Sequence, residues 1–223
     1  MVNIYLLRHG ETLFNLKEKV QGWNDSPLTE KGIYQARCAG YGMRDTVFSK
    51  VYAGDVLRQI DTAKIFISEN RNPLEIIPDP HFREMCYGKY EGGTYREMLG
   101  PLFELNGTEY GGYEGLYHFY NDIEIARLLE ERDETGVFEG VERVWKRFSE
   151  GIEMICNSNE GNVLVSTSSF AIAAVIYKLF PAFKQPSLVA NAAITVITYD
   201  EGFKLSDYNN TSYRESGEKH FGL

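Results

Sequence analysis

Apolar residues fall in two rhythms along the chain. Short continuous runs, suited to strands buried on both faces, occur at Val2 and Ile4–Leu7, at Val51–Ala53, at Leu74–Ile77 and within Asn162–Ser166. Helical spacing takes over between them. Ile33, Ala36 and Gly40 follow Thr29, a candidate N-cap, and Arg58, Thr62 and Phe66 share one face after the Gly54-Asp55 turn. Val141, Val144, Trp145, Phe148, Ile152 and Ile155 recur at i, i+3, i+4, i+7, i+11 and i+14, which predicts a long amphipathic helix with Arg147 on its solvated side. Ala171–Leu179 reads as one more helix. Asn191–Tyr199 and Phe203–Tyr208 read as a closing hairpin around Asp200-Glu201-Gly202. Strand and helix alternate, so an α/β sheet with its ligand crevice outside the carboxyl ends of the strands is expected.

The alternation lapses from Met98 to about Glu139. This stretch is rich in Gly and Tyr (Tyr110, Tyr113, Tyr117, Tyr120) and ends in an acidic helix-like run, Ile123–Arg132. An irregular stretch of such length is usually a lid or a specificity insertion. Between Met98 and Glu131 its only Arg or Lys is Arg127.

The first apolar run stops abruptly at Arg8-His9-Gly10-Glu11-Thr12, with Asn15 close behind. An Arg beside a His at a strand end suggests an anion site containing a titratable nitrogen, although a surface Arg and a turn His would look the same. Leu7–Thr12 resembles the signature of the histidine phosphatase superfamily, the phosphoglycerate mutase-like proteins. Asp55-Val56-Leu57-Arg58 is similar to the second motif of that family, and Phe82–Gly92 to its acid motif. The resemblance implies a single three-layer α/β/α domain with a mostly parallel sheet over residues 1–223. It also implies a metal-independent phosphatase that uses no cofactor. In this reading His9 is the nucleophile, Arg8 and Arg58 clamp the phosphate, and Glu84 protonates the leaving oxygen. Asn15, Gln21, Gly22, Tyr87 and Ser168 are expected to line the substrate pocket. A carboxyl suits the acid role because it can give a proton and later reclaim it. Adjacent Arg83 allows the plainer reading of Glu84 as a salt-bridge partner.

The resemblance breaks in one place. The family carries a second His after the strand that corresponds to Val163–Ser166, and here the chain reads Thr167-Ser168-Ser169, with Ser168 in the His position. By analogy with deleting an oxyanion donor, the loss is worth about 10²–10³ in rate. Three readings stay open. The hydroxyls and N–H groups of this turn form a substitute cradle, the chain is a phosphate-binding protein of weakened turnover, or His81 or His118 fills the gap. Plain N-capping by Ser168 is the simplest alternative. Mutase activity is less well supported, because Tyr95 stands where a mutase lysine would align and the insertion carries so few cations.

Composition narrows the rest. A net charge of −9 argues against nucleic acid or an anionic membrane as partner, so a small phosphorylated substrate is expected to be held by local arginines. Cys38, Cys86 and Cys156 are odd in number and far apart, which suits neither a disulfide framework nor a zinc site. No leader pattern or membrane-length apolar run is present, and a cytoplasmic location is expected.

Overall fold

The computed structural model describes residues 1–184 and 188–222. In chain order it comprises β1 (Val2–Arg8), α1 (Leu13–Leu16), α2 (Glu30–Gly42), β2 (Phe48–Ala53), α3 (Leu57–Ser68) and β3 (Ile76–Pro78). There follow α4 (Tyr95–Leu105), α5 (Gly112–Gly115), α6 (Asp122–Glu130), α7 (Gly140–Ser158) and β4 (Gly161–Thr167). The chain closes with α8 (Ser169–Leu179), β5 (Ile194–Tyr199), β6 (Phe203–Asn210) and α9 (Ser212–Phe221).

Among the described residues, six strands form one sheet in the order β3-β2-β4-β1-β5-β6. The β1–β4, β2–β4 and β2–β3 pairs are parallel, whereas β5 and β6 are antiparallel additions. The expected α/β architecture, three-layered with a mostly parallel sheet, is the one observed. One face of the sheet is covered by a core that includes Phe82, Val144, Phe148, Ile152 and Ile172. The other carries Ala39, Ala63, Phe66 and Ile67 from α2 and α3. Each such side chain, fully buried, is worth about 1.5–3 kcal/mol for the larger apolar types. The central strands are apolar on both faces for this reason.

The parallel strands carry their carboxyl ends to one edge. Arg8 pairs with Thr167 across β1 and β4, so His9 and Ser168 leave the sheet side by side. β2 ends nearby at Ala53, next to Ser166 in the ladder with β4.

Several expected boundaries moved. The second strand starts three residues early, at Phe48, and the third covers Ile76–Pro78, not Leu74–Ile77. The insertion holds more helix than its composition suggests. α4 is capped by a reciprocal Thr94–Glu97 box and buries Met98, Leu99, Leu102 and Phe103, and α6 is capped by a similar Asn121–Glu124 box. The final helix α9 was not expected at all, because Gly217 is its one buried residue. It docks by close backbone approach: a Cβ on Gly217 would lie 2.2 Å from the Cys38 carbonyl oxygen on α2. The contact is extended by Tyr41, which stacks on His220 at 3.9 Å between ring centres.

Candidate active site

His9 is the first residue past β1. Its N–H donates to the Thr167 carbonyl at 3.0 Å, its side chain is 4% exposed, and Nδ1 lies 2.8 Å from the Gly10 carbonyl oxygen. A carbonyl only accepts, so Nδ1 carries the hydrogen and Nε2 keeps its lone pair. Burial pushes the His9 pKa well below its ordinary value, and the charges of Arg58 and Arg8 push it further. The imidazole is therefore neutral at neutral pH. Gly10 in turn donates to Thr62 on α3, whose hydroxyl donates to the Arg58 carbonyl, so the end of β1 and the start of α3 are locked together.

The two arginines are held differently. Arg8 donates through Nη1 to the Val189 carbonyl, while its buried Nε has no partner. Arg58 is wholly enclosed by the loop 21–25: Nη2 donates to the Gly22 carbonyl at 2.7 Å, and Nη1 to the Asn24 carbonyl at 2.8 Å and to Asp25 at 3.1 Å. With its amide oriented to satisfy both ends, Gln21 donates to Thr12 and Ser26 and accepts from Arg58 Nε at 3.0 Å. The loop is itself fastened by Glu91, whose carboxylate accepts the N–H groups of Gly22, Trp23 and Asn24 at 2.9–3.3 Å and that of Tyr87 at 2.9 Å. Gly22 has no room for a side chain there, since a Cβ would sit 2.2 Å from the Met85 carbonyl oxygen.

Glu84 is 4% exposed and rests on the first turn of α8. Its Oε1 accepts the N–H groups of Met85 at 2.8 Å and Ala171 at 2.9 Å, and Oε2 that of Phe170 at 3.0 Å. Burial raises its pKa above the ordinary carboxyl value, with those N–H groups and the Arg58 charge opposing. The Glu84 carbonyl is clamped as well, by Trp23 Nε1 at 3.1 Å and Arg147 Nη2 at 2.9 Å. Arg147 is thus not solvated, contrary to expectation. It bridges the carbonyls of His81 and Arg83 and pairs with Glu139 at 2.6 Å, and Glu139 accepts the Cys86 N–H.

Arg8, His9, Asn15, Gln21, Glu84 and Tyr87 line one cavity of about 40 Å³, together with Tyr95, Tyr113, Ser169, Phe170 and Leu188. A site of this size, carrying an imidazole with a free nitrogen, a buried carboxyl and a guanidinium, is fitted to a small oxyanion. Among the described residues no group of His, Cys, Asp and Glu is arranged to hold a metal ion.

The family model for the histidine phosphatase superfamily (branch 1) matches residues 4–102. Over 115 residues the chain is 40% identical to the probable phosphoglycerate mutase GpmB of Yersinia pestis. That match covers 49% of this chain and 52% of the relative, so the chain spans about half the length of the curated relatives it matches. The crystal structure of phosphoglycerate mutase from Bacillus anthracis superposes with a TM-score of 0.88 at 30% identity, covering 97% of this chain and 96% of that one. The chain belongs to the histidine phosphatase superfamily. Phosphoserine phosphatase from Entamoeba histolytica shares the fold, with a TM-score of 0.68 at 24% identity over 96% of this chain and all of that one. Proteins that share this fold are therefore named both as mutases and as phosphatases. The matched region contains Arg8, His9, Arg58 and Glu84, whereas the end of β4 and most of the insertion lie beyond it.

Within this superfamily member the end of β4 is arranged differently from the sequence-based expectation. Ser168 takes the N-cap position of α8 without capping it, and its hydroxyl accepts from Gln59 Nε2 at 2.7 Å. Thr167 donates to the Phe82 carbonyl at 2.7 Å. Ser169, which sequence reasoning did not assign, lines the cavity, with its hydroxyl accepting the Val189 N–H at 3.0 Å. The N–H groups of Phe170 and Ala171 are occupied by Glu84 and do not form an open cradle. Neither His81, bonded to Asp79 at 2.7 Å, nor exposed His118 lines the cavity. Gly22 and Arg58 stand behind its wall. Asn15, Gln21 and Tyr87 are in its lining, and so is Tyr95.

Proposed function

We propose that the chain hydrolyses a small phosphomonoester through a phosphohistidine on His9. The observation that carries this reading is the state of His9. It lines the cavity with Nδ1 committed to the Gly10 carbonyl and burial keeping the ring neutral, and Glu84 lines the same cavity. Nε2 attacks phosphorus, the bond from phosphorus to the alcohol oxygen breaks, and the Glu84 carboxyl gives its proton to the departing oxygen. A water then attacks the phosphohistidine. Glu84 takes the proton of that water, and the P–N bond breaks to return neutral His9 and free phosphate. Arg8, with Nε unpaired, is the group positioned to meet phosphate oxygens directly. Arg58 contributes its charge from behind, held by the 21–25 loop.

Hydrolysis is favoured over mutase transfer because, among the described residues, the cavity offers no cation besides Arg8 for a second anionic end. Tyr87, Tyr95 and Tyr113 are in the lining, and among the described residues no lysine is. Phosphate binding with weakened turnover is the second reading. It is favoured by Ser168, which accepts from Gln59, is absent from the cavity lining and leaves no imidazole to donate from the end of β4. Hydrolysis of an activated aryl phosphate from pH 5 to 8, by the native protein and by Ser168→His, separates the two. Native turnover supports the hydrolase. No native turnover, with activity gained in Ser168→His, supports the binding protein.

A further inference from the structure

A second, larger cavity of about 360 Å³ lies where the start of α6 meets the end of α8. Its volume falls in the range of small-molecule sites, about 300–1,000 Å³. Tyr117, Tyr177 and Phe183 give it aromatic walls, and Asn121, Asp122 and Lys184 give it polar groups.

Asp122 is the unusual member. It is 4% exposed, yet both of its tyrosine donors meet the same oxygen: Tyr117 donates to Oδ1 at 2.7 Å and Tyr113 at 3.1 Å. Oδ2 accepts no hydrogen bond among the described residues, and no Lys, Arg or His among them pairs with this carboxylate. Burial raises its pKa against the two tyrosine donors. A carboxylate this deep is costly without a charged or strongly donating partner. The far side of the cavity has the opposite character. Lys184 is exposed and makes no ion pair among the described residues, and Arg127 sits over the Tyr177 ring at 5.9 Å. A plain cation would suit Asp122 but meet these positive groups, and a plain anion would meet Asp122.

We propose that this cavity binds a small zwitterion, with its ammonium on Asp122 Oδ2, its carboxylate at Lys184 and its carbon chain between the aromatic rings. The ligand is either a free amino acid or the alcohol half of a substrate that carries both groups. Tyr113 connects the two sites, since it lines the His9 cavity while its hydroxyl rests on Asp122. The inference does not require that His9 turn over.

The test is ligand-observed NMR titration of the whole protein with glycine, β-alanine and γ-aminobutyrate, beside butylamine and butyrate. At least one zwitterion should bind saturably and about tenfold more tightly than either single ion, the value of one charge-assisted hydrogen bond. Asp122→Asn and Lys184→Met should each weaken it by about the same factor. Lys184 is exposed, so its variant keeps the fold even if Asp122→Asn does not. Titration repeated with inorganic phosphate present tells the two sources apart: an affinity that changes with phosphate marks the alcohol half of a substrate that spans both cavities, and independent binding marks a free ligand. Single ions that bind as well as the zwitterions, absence of zwitterion binding, or unchanged affinity in Lys184→Met would overturn the proposal.

Discussion

Arg147 donates to the main-chain carbonyl of Glu84 at 2.9 Å, from a helix more than sixty positions further along the chain. The same guanidinium holds the carbonyls of His81 and Arg83, so the segment that carries the candidate acid is tied down at three points. The Glu84 side chain can then rest on the N-terminal turn of α8, where the helix dipole and two N–H groups meet it.

Arg147→Met should therefore damage more than one ion pair. It strands Glu139, leaves the His81 and Arg83 carbonyls without a donor and the Glu84 carbonyl with Trp23 alone, and the expected loss is about 3 kcal/mol or more, read as a lower urea midpoint. Among molecules that remain folded, hydrolysis of esters with poor leaving groups should fall further than that of activated aryl esters. Equal losses on both would separate Arg147 from the acid function.

The buried His9 and Glu84 give opposite pH signatures. The His9 pKa is lowered on folding, so the unfolded chain binds the proton more tightly. Stability from this group is full above pH 6.5 and is lost as pH falls toward the folded value. The Glu84 pKa is raised, so the stability its protonated form gives is full below pH 4.5 and is lost as pH rises through the folded value. Urea unfolding at pH 7, 6 and 5 should show His9→Gln gaining on the native protein as pH falls, and Glu84→Gln gaining on it as pH rises. A His9→Gln difference that stays flat with pH would mean that the imidazole titrates normally.

Glu91 acts on the site through the main chain. Its carboxylate gathers three N–H groups of the loop whose carbonyls hold Arg58, whereas the amide of Glu91→Gln has only one acceptor oxygen. Loosening that loop should let Arg58 shift away from His9, with about tenfold weaker binding of inorganic phosphate by calorimetry. Glu91→Gln with native phosphate affinity would show that the loop holds Arg58 without it.

Much of this was legible in the chain because its signals are local. Val2–Leu7 is mostly apolar, as suits a buried strand, and Arg8–Thr12 interrupts it at once, which points to the carboxyl end of β1 as the candidate site. Helix periodicity found α7 for the same reason. Arg147 was misread because that periodicity sorts residues by face and says nothing of a long side chain reaching carbonyls at positions 81, 83 and 84. Glu91 was passed over because its partners are backbone groups, which a sequence does not display. Ser168 and Ser169 are adjacent and chemically alike, and only the turn geometry decides that the first meets Gln59 and the second meets Val189 and lines the cavity. The final helix α9 escaped because Gly217 docks it by close backbone approach, so it lacks the apolar stripe that marks other helices.

The central claim is that His9 Nε2 forms a bond to phosphorus. Rapid alkaline quench of the native protein with a ³²P-labelled phosphomonoester, followed by peptide mapping, tests it most directly, because a P–N bond survives base and is lost in acid. One acid-labile label on the peptide that contains His9, absent from His9→Ala and prolonged in Glu84→Gln, is the predicted result. Turnover without any such label, or a label that persists in His9→Ala, would contradict the account.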